Sequence, residues 1–101
     1  MINNSGANIA ESIIIVKIAN TIDLFDTVKL TKKRKSVKIT DTDKFKGVEV
    51  FLDIDYGIVI PQTVKILQQA IASVLKNDLD IVLDSIDVTV EGVNIDNLEK
   101  R

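Results

Sequence analysis

The side chains with chemical potential in this chain are its cations and carboxylates, because it contains no cysteine and no histidine. That composition removes thiol nucleophiles, disulfides and the usual zinc ligands, together with the side chain that titrates closest to neutrality. The densest run is Lys32-Lys33-Arg34-Lys35, a candidate for contact with anionic lipid headgroups or nucleic-acid phosphates. Its plainer reading is a solvated loop, since a short charge run without an amphipathic anchor binds a membrane weakly. Asp53 and Asp55, two residues apart in an alternating segment, share its outward side, and Asp84 and Asp87 form a less regular pair. Such pairs run acid–base chemistry or hold a metal only when buried and close, whereas outward strand positions normally face water. Phe51 stands among these outward acids, so it is a candidate for partner contact or for cover by a loop. No catalytic, cofactor or metal site is expected.

The elements that must position these residues belong to one domain, since 101 residues suffice for a single core. A hydrophobic share of 46% with 28% charged residues is the composition of a soluble globular chain. The longest apolar run covers only residues 13–16, and the start of the chain lacks the basic, apolar and small-residue order of a signal peptide. A cytoplasmic location follows as an expectation. Net charge is −2, but the signs are segregated: residues 29–38 hold six cations and no acid, and residues 77–96 hold six acids and no base. Such asymmetry steers partners or marks two solvated edges.

Residues 1–7 read as a loosely tied start and 94–101 as a frayed tail, bounding a domain over 8–93. Residues 8–23 repeat apolar positions at three and four, through Ile9, Ile13 and Val16 and, offset, Ile15, Ile18 and Ile22. This predicts a helix capped by Asn8, with Glu11 in its first turn. Residues 27–31 and 36–40 alternate as short strands, and 41–46 carry the turn residues of a hairpin. Val48, Val50, Leu52, Ile54 and Tyr56 then share one face of a strand. Gly57 supplies a bend there and Pro61 the first turn of a helix reaching about Lys76, through Val64, Leu67, Ile71, Val74 and Leu75. Asn77-Asp78 ends that helix, and residues 84–93 form a last strand with Ile86, Val88 and Val90 on one side. The fold class is α+β: a small, mainly antiparallel sheet of three to four strands, two helices on one face, in the order α-β-β-β-α-β.

The pieces Asp55-Tyr56-Gly57, Ile60-Pro61, Val64, Leu67-Gln68, Ile71 and Ile86-Asp87-Val88-Thr89-Val90 occur in an order that resembles the alkaline-shock-protein family of envelope stress response proteins. Residues 36–40 and 48–55 match that family's paired strands, so the resemblance covers 36–93, and residues 8–30 match in pattern. It implies a small non-enzymatic protein that self-associates and is recruited to the cytoplasmic face of the membrane by a membrane-anchored relative. It also implies that Tyr56, Gly57 and Pro61 are structural, and it carries no catalytic residue or cofactor.

The resulting expectation is a binding or scaffold module at the cytoplasmic side of the membrane, acting through self-association and a protein partner, with peripheral membrane contact. The alternative is a small KH-like RNA-binding module using the basic 32–35 loop. That module type needs a Gly-x-x-Gly loop, which is missing here, and a single Tyr leaves few stacking platforms for bases, so the sequence argues against nucleic acid. Asp84-Ser85-Ile86 resembles the serine attachment site of acyl carrier proteins, but there the serine precedes a helix, whereas Ser85 enters an alternating segment.

Overall fold

The computed structural model describes residues 10–95. In chain order the elements are α1 (Glu11–Asp23), β1 (Val28–Leu30), a 3-10 turn (Lys33–Ser36), β2 (Val37–Asp41), β3 (Lys46–Asp55), α2 (Ile60–Leu79) and β4 (Ser85–Asn94). This is the α+β class in the expected α-β-β-β-α-β order. Asn8 and the residues outside 10–95 lie beyond the description. Asn94 belongs to β4 rather than to a tail.

β3 is the centre of the sheet because it alternates over ten residues and pairs on both sides. On one side β1 and β2 run antiparallel to it, with Val28 opposite Ile54 and Val37 opposite Val50. On the other, β4 runs parallel, with Val48 opposite Ile86. The crossover through α2 forces that direction, since a helix laid back along the sheet returns the chain to the end where β3 began. Glu91 is an extra residue in β4, shifting the register between Leu52 and Asp53. Gly92 follows it, and a Cβ there would lie 2.8 Å from Asp53 Oδ1.

Period two sends Val48, Val50, Leu52 and Ile54 to the buried face of β3, where both helices cover them. α2 contributes Leu67, Ile71 and Leu75, all fully buried. Each such side chain adds roughly 1.5–3 kcal/mol of hydrophobic stabilisation. α1 contributes Ile14, Ile18 and Ile22, and this corrects the expected phase: Ile14 faces the core and Ile13 is 47% exposed. The Lys17–Asp78 ion pair (3.0 Å) bridges the helices at the surface, and Gln68 Nε2 donates to the Ile86 carbonyl at 2.7 Å, tying α2 to β4.

Gly57 has φ +89°, a left-handed backbone that side chains oppose, and Pro61 occupies the first turn of α2, both as expected. Tyr56 departs from its expected inward position. It lies just past β3 and is 64% exposed, so its structural part is played by its backbone N–H, which donates to the Asn94 carbonyl at 3.0 Å. α2 also continues beyond Asn77-Asp78 to Leu79, because Asp80 takes the left-handed conformation (φ 56°, ψ 37°) that closes the helix.

Candidate functional site

β1 and β2 are two parts of one strand. Leu30 lies opposite Leu52 and Val37 opposite Val50, so residues 31–36 are inserted where β3 advances by Phe51 alone. The sheet cannot absorb the excess, and the segment leaves the ladder as a bulge. Its base is held by the Thr31 N–H, which donates to the Phe51 carbonyl at 3.1 Å. Its interior is held by the buried Ser36, whose Oγ accepts from the Lys32 N–H, and by the Lys35 N–H donating to the Lys32 carbonyl at 3.1 Å. Thr31 Oγ1 is buried without a hydrogen-bond partner among the described residues.

The bulge divides the basic run. Lys32 and Lys35 line a cleft of about 170 Å³ with Phe51, Ser36, Lys38 and Glu91. Lys33 and Arg34 line a separate cleft of about 420 Å³ between the bulge and α1, with Lys29, Asn20 and Asp23. The tight turn separates neighbours in this way, aided by the left-handed φ of 55° at Lys33. The structure therefore brings Phe51 together with Lys32 and Lys35 and takes Lys33 and Arg34 elsewhere. No cation of the bulge forms an ion pair with another described residue; Lys17–Asp78 and Lys76–Asp80 lie on the helices.

Phe51 lies on the sheet face away from the helices and is half-buried. That face also carries Lys29 opposite Asp53, and Lys38 opposite Glu49, which in turn lies opposite Asp87. The carboxylates are therefore spread across strands among cations, and among the described residues no three of His, Cys, Asp and Glu gather as a metal site. Ser85 opens β4 and is followed by strand, not helix.

Lys38, Ser36 and Glu91 escaped the sequence reading of the site. Lys38 was findable in principle, because hairpin register places it opposite Glu49, two residues from Phe51. Glu91 arrives through the β4 bulge, for which Gly92 is the only sequence mark. The resulting cleft offers an aromatic wall, three ammonium groups, one hydroxyl and one carboxylate. It suits an anionic, partly apolar group held by charge and ring contact, and it contains no paired acid and base for proton transfer. Among the described residues no helix is long and apolar enough to cross a membrane. Set against protein-family models, curated proteins and solved structures, the chain matches none.

Proposed function

We propose that this domain is a non-catalytic binding module, a scaffold of the alkaline-shock-protein type. It works at the cytoplasmic side of the envelope through self-association and a protein partner. One observation carries the reading: the half-buried Phe51, on the sheet face that no described helix covers, is flanked by Lys32, Lys35 and Lys38. A ring set among cations on an open sheet is a contact surface, where the aromatic supplies area and the charges supply orientation. The sequence resemblance supplies the cellular setting, and the dispersed carboxylates fit binding better than catalysis.

The test uses the full chain in native cytosolic and membrane fractions, with chemical crosslinking and light scattering, beside a Phe51→Asp variant of unchanged circular dichroism. Wild type is expected to crosslink to itself and to a discrete protein partner in the membrane fraction, and the variant to lose both contacts. Recovery of wild type only as a monomer without membrane or self contacts overturns the reading. Salt-dependent binding of single-stranded RNA, abolished by neutralising residues 32–35, replaces it with the RNA-binding alternative.

A further inference from the structure

β4 is an edge strand of ten residues, and its strand neighbour among the described residues is β3 alone. The Phe51 carbonyl accepts from Thr31 on the β1 side and the Tyr56 N–H donates to Asn94, so the even residues of β3 turn their backbone groups to β4. In a parallel ladder with Val48 opposite Ile86 they bond Ser85, Asp87 and Thr89, and residues 86, 88 and 90 turn theirs to the outer edge, where the Ile86 carbonyl accepts from Gln68 Nε2. The side chains beside that edge fall into two rows. On the helix side Ile86, Val88 and Val90 are only half-buried, although their β3 neighbours Val48, Val50 and Leu52 are fully buried. The apolar layer therefore stops short of complete cover at β4. On the open side Asp87 and Glu91 are exposed, with Thr89 between them.

We propose that the β4 edge receives an extended segment of a partner protein in which apolar residues alternate with Lys or Arg. Its backbone continues the sheet, its apolar row extends Ile86, Val88 and Val90 under the helix layer, and its basic row meets Asp87 and Glu91. Charge complementarity selects this occupant. The acidic row repels an acidic strand and disfavours a second copy's β4, the role charges commonly play in guarding an exposed edge. This goes beyond the Phe51 cleft and holds whichever partner fills that cleft.

The experiment uses the full chain and a labelled ten-residue peptide of alternating Val and Lys, read by fluorescence anisotropy and amide hydrogen exchange. Controls are the same residues in block order and an alternating Val/Glu peptide. Only the alternating Val/Lys peptide is expected to bind, slowing exchange at Ile86, Val88 and Val90. Val88→Pro removes an outward N–H and leaves the ladder to β3, so it abolishes binding while the fold persists. The double variant Asp87→Lys/Glu91→Lys weakens binding about fivefold or more and moves the preference to the Val/Glu peptide. Lys32→Glu/Lys35→Glu leaves binding and protection of β4 in place, which separates this result from any failure of the Phe51 reading. Absence of binding, equal binding of the block-order peptide, or binding that survives Val88→Pro overturns the proposal. Where Val88→Pro unfolds the domain, the charge reversal decides, and an unmoved preference overturns the proposal.

Discussion

Phe51 owes its setting to residues 31–36, which interrupt the strand opposite it and fold back as a cationic bulge. Two other positions, Thr31 beside it and Gly57 past the end of β3, carry costs that mutation can release or add. Thr31 Oγ1 is buried without a partner among the described residues, and an unmet hydroxyl is a cost that an apolar isostere avoids. Thr31→Val is therefore expected to stabilise the domain by about 1 kcal/mol in urea denaturation. Gly57 presents the opposite case. A Cβ there would meet nothing within 4 Å, but φ of +89° opposes any side chain. Gly57→Ala should destabilise by about 1–2 kcal/mol through the backbone alone, with an unchanged slope against urea.

At the scale of elements, α2 illustrates both what periodicity reveals and what it hides. Its buried stripe follows directly from Leu67, Ile71 and Leu75, but its end depends on Asp80 accepting a left-handed conformation, which an Asn-Asp-Leu-Asp stretch does not locate. The Lys76 ammonium, hydrogen-bonded to Asp80 at 2.8 Å, holds that carboxyl below its ordinary value of 3.8. The stabilisation from a lowered carboxyl is present above its ordinary value and is lost as pH falls through the lowered one. Asp80→Gly frees the strained φ and gives up this exposed pair, so its urea midpoint should exceed wild type at neutral pH. The margin should widen below the ordinary carboxylate range, and a margin that narrows in acid contradicts the assignment. In α1 the continuous run Ile13-Ile14-Ile15-Val16 fits two phases of a helix, and packing against α2, β1 and β2 selects Ile14. Similarly, residues 27–31 and 36–40 each look like a strand, and nothing in their composition says that they are halves of one. The parallel direction of β4 is set by its crossover, which local pattern does not encode.

For the whole molecule, the helix layer covers one sheet face, and among the described residues the other carries mixed charge around one aromatic ring. Phe51 and the residues 32–35 were legible as candidates because an apolar ring among acids and a run of four cations both break the local pattern. Their division into two clefts was not legible, since it arises from a turn that sends Lys32 and Lys35 one way and Lys33 and Arg34 the other. Under the proposed function the domain acts by displaying surfaces, and the Phe51 cleft is the central one. The most direct test places a photocrosslinking amino acid at position 51, and in a control at the exposed Lys65 on α2, in cells that naturally produce the protein. The account predicts discrete covalent adducts from position 51, to a second copy and to a partner protein, and none of these from position 65. An absence of adducts at position 51, or the same products from both positions, contradicts it.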